Sequence, residues 1–183
     1  TPGSYTLSAI TVNAQGQITA AADGSSTSTS GGILDSQISD SGTAADTVLT
    51  ALHTYVMPGN TMVTNGDMIK IYACYTTAAN ANGKVFYVSF GSQQLGTVSA
   101  NLNNQTLYMT TVLSRIDANN QRATTTFFYS TTGGGAVTTE YYDVDLSTED
   151  LTTDTNIIVY GQNAVATLND IVSKQLIVEL IKR

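Results

Sequence analysis

The sequence predicts an all-β protein: an antiparallel, jelly-roll-like β-sandwich of about eight strands preceded by a short N-terminal hairpin arm. Three observations carry that prediction. Only 11% of the 183 residues are charged, so the Glu, Lys and Arg that build surface helices are scarce. Thr, Ser, Asn and Gln together fill 68 positions, and the 30 threonines join Val, Ile and Tyr in favouring a half-buried pleated surface. From residue 47 onward, apolar or Thr-rich runs alternate in period two and each closes on Asn, Gly or Asp.

Taken in order, the first elements are two short strands, Tyr5 to Val12 and Gln17 to Ala21, around Asn13-Ala14-Gln15-Gly16, whose glycine can take the positive φ of a tight turn. The stretch Gly24 to Gly32 has no apolar side chain to offset the entropy of ordering, so a flexible linker is expected there. Ile33 to Asp46 reads as a bridge with scattered apolar positions. The resulting organisation is an anchoring arm over 1–23, linker and bridge over 24–46, and a trimerising sandwich over 47–183.

Eight runs fill the sandwich: Thr47 to Met57, Met68 to Thr77, Lys84 to Phe90, Gln105 to Ile116, Arg122 to Ser130, Val137 to Leu146, Thr155 to Val165 and Ile171 to Ile181. Between them lie Pro58-Gly59-Asn60, Asn65-Gly66-Asp67, Asn80-Ala81-Asn82-Gly83, Asp117-Ala118-Asn119-Asn120 and the hairpin tip Gly133-Gly134-Gly135. Alternation puts Ile69, Ile71, Ala73 and Tyr75 on one face, as it does Phe86, Val88 and Phe90, and Leu176, Val178 and Leu180. Gln175 to Ile181 is apolar on both faces, which suggests that the second face meets another subunit. A helix over Leu168 to Arg183 is the local rival, disfavoured by its β-branched residues.

Candidate chemistry is sparse. Net charge is −7 with seven basic residues, which removes the electrostatic footprint of a nucleic-acid binder. No run approaches the length of a membrane span. Six of fourteen acids fall between residues 140 and 154, and Asp143, Asp145 and Asp154 mimic the spacing of a calcium loop. Thr148 occupies the position where that loop needs glycine, and Asp154 stands where it needs a bidentate Glu, so a solvated acidic loop with Ser147 capping a turn before Asp150 is the favoured reading and no metal is assigned. Glu140, Asp143 and Asp145 are available for a glycosidase pair, a signal nearly worthless on a strand. His53, the single histidine, is read as a packed imidazole with a backbone partner rather than a triad base. Cys74, the single cysteine, is read as a buried small hydrophobe. Neither catalytic residues nor a cofactor is expected. Tyrosine is in surplus, and Tyr141-Tyr142 must place one ring on each face of their strand.

Ser4-Tyr-Thr-Leu-Ser-Ala-Ile-Thr-Val-Asn-Ala-Gln-Gly-Gln-Ile-Thr-Ala-Ala21 resembles the repeat Thr-Val-x-Ala-x-Gly-x-Ile-Thr-x-Ala of bacteriophage tail fibres and other virion appendages. Asn65-Gly-Asp-Met-Ile-Lys-Ile-Tyr, followed by Thr77-Ala-Ala-Asn-Ala-Asn-Gly-Lys84 and Phe90-Gly91, resembles the front half of the β-sandwich head domains at the ends of such proteins. The resemblance implies a homotrimer on the virion surface, on tail or capsid, whose arm contacts other virion proteins. It implies either a tail-fibre or spike head that binds a host surface glycan or protein, or a capsid decoration protein whose arm clamps major capsid subunits. A polysaccharide depolymerase is the third reading, and the residues lack the parts it needs. The family carries no shared catalytic constellation.

Overall fold

The computed structural model describes residues 8–23, 31–130, 137–147 and 149–183. The chain divides into two compact units, Thr1–Ser30 and Gly31–Arg183. Of the expected linker Gly24 to Gly32, residues 24–30 lie outside the described residues, as do the Gly133 to Gly135 tip and Thr148, whereas Gly32 begins a strand.

The first unit is a hairpin of β1 (Ser8–Val12) and β2 (Ile18–Asp23), paired antiparallel. Its turn forms for local reasons. Gly16 takes φ +77°, and the Asn13 side chain accepts hydrogen bonds from the backbone N–H groups of Gln15 and Gln17 at 3.1 and 2.9 Å. Register pairs Val12 with Ile18, and Ile10 lies two residues before Val12 on the same face.

The second unit contains β3 (Gly32–Gln37), β4 (Ser41–Gly42), β5 (Thr50–Met57), β6 (Met68–Thr77), β7 (Lys84–Phe90) and β8 (Gln93–Ala100). They are followed by β9 (Thr106–Arg115), β10 (Gln121–Ser130), β11 (Val137–Leu146), β12 (Thr155–Asn163) and β13 (Ile171–Ile181). The larger sheet runs β11-β10-β9-β6-β13, with β3 and β4 both on the remaining edge of β13, and the smaller sheet runs β5-β12-β7-β8. Every pairing is antiparallel.

This connectivity is a jelly roll. With β3 and β4 taken as one interrupted first strand, the first strand pairs with the last (β13), the second (β5) with the one before it (β12), and the chain folds back as two nested Greek keys. β10 and β11 are a long hairpin added beyond β9, widening the larger sheet.

The expected count of about eight therefore describes the roll, but not with the expected members. β3 and β8 belong to it and were absent from the eight runs, whereas β10 and β11 were counted and are the added hairpin. β8 was illegible because only Leu95 and Val98 are apolar and buried, in the sequence Gln-Gln-Leu-Gly-Thr-Val-Ser-Ala. The segment read as a bridge supplies β3 and β4, so the sandwich unit begins at Gly31 rather than Thr47. Residues 171–181 are strand, not helix.

The core lies between the sheets, built from the inward positions of each strand: Ile69, Ile71 and Tyr75 of β6, Phe86, Val88 and Phe90 of β7, and Leu176 and Val178 of β13 are fully buried. Tyr75 meets Phe86 edge to face, with centroids 5.3 Å apart. Gly96 is required by close approach, because a Cβ there would stand 2.9 Å from Cβ and Cγ2 of Thr125 on β10. That contact seats the added hairpin on β8.

Candidate functional site

The outer face of the larger sheet is the feature that the packing leaves unexplained. Cross-strand register aligns Tyr72, Thr110, Thr126 and Tyr141 in one row over β6, β9, β10 and β11. The adjacent row aligns Cys74, Tyr108 and Phe128. Partners in neighbouring strands are about 4.8 Å apart, so four aromatic rings interleaved with threonine hydroxyls cover roughly 14 Å. Tyr141 is 72% exposed, Tyr108 56% and Phe128 40%. Toward β13 and β3 the face sinks into a groove of about 420 Å³ lined by Ile33, Tyr72, Cys74, Tyr108, Gln175 and Ile177.

Two opposite-charge pairs lie on this face. Lys70 lies directly opposite Glu179, and Arg122 grips Asp145 with two hydrogen bonds of 2.7 and 3.2 Å. That exposed pair contributes little stability, but the guanidinium holds the Asp145 carboxyl below the usual carboxylate range. As expected, the Tyr141 ring points outward, while half-buried Tyr142 packs edge to face on Phe127 at 5.9 Å.

The three calcium candidates do not converge. Asp145 is engaged by Arg122, Asp143 accepts a long bond of 3.4 Å from the Thr124 hydroxyl, and Asp154 accepts the Gly59 N–H at 2.9 Å across a different loop. No cluster of three metal-type side chains occurs among the described residues. Glu140, the remaining acid weighed for a glycosidase pair, accepts the hydroxyls of Tyr129 and Tyr142. Burial first, and then that carboxylate, push the Tyr129 phenol up to about 12. The turn before β12 is capped by Asp150, which accepts the Thr152 N–H at 2.9 Å, rather than by Ser147.

His53 is the packed imidazole the sequence suggested. Its Nε2 lies 2.9 Å from the Ser39 carbonyl, which can only accept, so Nε2 donates there, and Nδ1 lies 3.2 Å from the Ser173 hydroxyl. Both ring nitrogens are thereby occupied without a carboxylate, and Ser173 is completely buried. Cys74 corrects the reading made of it. It is half-buried on the outer face, because on β6 it shares parity with Tyr72 rather than with Tyr75. Desolvation, opposed by the Lys174 charge, pushes its thiol upward, away from nucleophilic use.

Buried polar clusters close the two ends of β6 and β13. At one end Asp67 accepts the N–H groups of Val63, Thr64 and Arg183 and pairs with Lys182 at 3.0 Å. At the other, Lys84 and Asp170 pair at 3.3 Å with neither side chain exposed. The Lys84 ammonium also donates to the Asn80 side-chain carbonyl (2.9 Å) and the Asn82 backbone carbonyl (3.1 Å), while the Asn80 amide donates to Asp170 at 2.7 Å. This cluster went unread in the sequence, although the signal was there: Lys84 has the parity of Phe86, Val88 and Phe90, and a lysine on a buried face needs an acid.

No family model matches the chain, and no curated protein matches it. Among solved structures, it is similar to the CBM2 module of the evolved Dit of Lactobacillus casei BL23 phage J-1, with a TM-score of 0.37 and 10% identity over 71% of this chain and 69% of that one. It is also similar to a structure of infectious bursal disease virus Gx strain, with a TM-score of 0.32 and 12% identity over 95% of this chain and 36% of that one. The VP2 subviral particle of infectious bursal disease virus gives a TM-score of 0.27 at 12% identity, covering all of this chain and 50% of that one. At such values the likeness is one of β architecture and reaches neither ligand nor role.

Proposed function

We propose that this chain is a bacteriophage virion structural protein displayed on the particle surface, and specifically a tail-fibre or spike head that binds the host cell surface. It acts by binding rather than catalysis, as a homotrimer, with the N-terminal hairpin docking on another virion component. The observation that carries the proposal is the outer face of the larger sheet. Four aromatic rings and a groove suit contact with another macromolecular surface, whether a neighbouring copy or a receptor. The Thr11 to Ala21 repeat supports the virion setting, since its resemblance is to appendage proteins and its Val12 and Ile18 side chains stand exposed.

Electron microscopy of particles labelled with an antibody against this chain tests the placement. Label at fibre tips supports the head reading, label over the capsid shell transfers the chain to the decoration role, and unlabelled particles that contain the rest of the virion overturn both. Light scattering of the isolated protein tests the trimer separately, and a stably folded monomer would overturn it.

A further inference from the structure

The cluster at the entry to β13 places a primary amine, a carboxamide and a carboxylate in mutual contact, with the Lys84 and Asp170 side chains fully buried and Asn80 half-buried. Lys84 Nζ is 2.9 Å from the Asn80 carbonyl oxygen and 3.3 Å from Asp170 Oδ1, and the same Oδ1 accepts the Asn80 amide nitrogen at 2.7 Å. One carboxylate oxygen thus touches both the nitrogen that could attack the amide and the nitrogen that would leave. We propose that this is an autocatalytic crosslinking site, at which Lys84 and Asn80 become joined by an isopeptide bond with Asp170 as the proton shuttle.

The chemistry needs no component beyond these three side chains. The base within reach of the Lys84 ammonium is Asp170, whose Oδ1 lies 3.3 Å from Nζ. Lys84 passes a proton to Asp170, and the freed lone pair of Nζ forms a bond to Cγ of Asn80, moving the carbonyl electrons onto oxygen. Protonated Asp170 first gives its proton to Nδ2, and the carboxylate so freed takes one from Nζ. The Cγ–Nδ2 bond then breaks, the carbonyl re-forms, and the departing ammonia takes the proton left on Asp170 and leaves as ammonium. An ammonium-bearing lysine and an asparagine amide become a secondary amide and an ammonium ion, so atoms and charge balance without oxidant or cofactor. Holding the groups in contact supplies the proximity that makes such an acyl transfer accessible.

Asp170 is itself fixed, since its backbone carbonyl accepts the Ala78 N–H at 3.0 Å and Asn82 donates to its other oxygen at 3.3 Å. The product is a covalent closure of the β6–β7 loop beside the first residue of β13.

The test is the intact mass of the purified full-length chain under denaturing conditions, followed by tryptic mapping. The expected result is a chain lighter than its sequence by one ammonia, with trypsin unable to cut after Lys84 and the loss located between Asn80 and Lys84. Lys84→Arg and Asp170→Asn should each restore the full mass of the variant chain, with circular dichroism reporting the fold. The wild-type measurement decides even if neither variant folds. A full-mass wild-type chain overturns the proposal and leaves an ordinary ion pair. Loss of water with a Lys84–Asp170 link overturns the assignment of partners. Loss of ammonia with normal cleavage after Lys84 marks a succinimide at Asn82-Gly83 and overturns it too.

Discussion

Gly96 of β8 and Thr125 of β10 face each other so closely that a Cβ on residue 96 would lie 2.9 Å from the threonine side chain and 3.2 Å from the ring of Phe127. Thr125 cannot turn away freely, because its hydroxyl bonds to that of Thr111 at 2.8 Å inside the core. Gly96→Val is therefore expected to destabilise the fold by about 1–3 kcal/mol through overpacking, read as a lower urea midpoint. Gly96→Ala should cost less. Wild-type stability in the valine variant would show that the added hairpin does not press on β8.

Tyr75 carries the opposite kind of defect. It is wholly buried, and its hydroxyl has no hydrogen-bond partner among the described residues. An unmet buried hydroxyl costs about 1–3 kcal/mol, and the edge contact with Phe86 needs only the ring. Tyr75→Phe should thus raise the thermal midpoint, one of the few core changes expected to stabilise. A lower midpoint would mean that the hydroxyl has a partner, such as an internal water.

These two residues show how much could be seen beforehand. Tyr75 was legible, since its parity with Ile69, Ile71 and Ala73 put it in the core. Gly96 was not, because its constraint comes from β10, whose packing against β8 is a matter of topology that no local pattern encodes. The same holds at the surface. Period-two alternation predicted a second apolar face on β13, but only cross-strand register brings Tyr72, Tyr108, Phe128 and Tyr141 together. The acidic stretch failed in the reverse direction: Asp143, Asp145 and Asp154 are close in sequence, and the fold gives each a separate partner.

Acid stability should depend on Asp67. Burial alone would raise its pKa, but the Thr64 N–H, the Lys182 ammonium and the Arg183 N–H outweigh it and hold the carboxyl below its ordinary value. The unfolded carboxyl titrates near about 3.9, so the stabilisation is complete above that pH and is lost as pH falls through the lower folded value. Urea midpoints measured from neutral pH downward should fall below about pH 4. Asp67→Asn should start from a lower midpoint and lose less on acidification. An unchanged acid limb in that variant would assign the titration to other carboxyls held low by hydrogen bonds, such as Asp117 or Asp150.

The hairpin arm makes the proposed virion role testable at single side chains. An isolated two-stranded hairpin is marginal in water, yet Ile10, Val12 and Ile18 are 54%, 57% and 63% exposed on one face. On the anchoring reading, those three side chains are what the partner covers. Each contributes about 2 kcal/mol when buried, so Ile10→Ser with Val12→Ser and Ile18→Ser should lower incorporation into particles by well over tenfold, since about 1.4 kcal/mol is a factor of ten. The thermal midpoint of the Gly31–Arg183 unit should not move, because the arm forms a compact unit of its own. Quantitative mass spectrometry of purified particles gives the first number and calorimetry of the isolated protein the second. Incorporation at the wild-type level would remove the hairpin from the anchoring role, whereas a drop in the midpoint would show that the substitutions act on the sandwich instead.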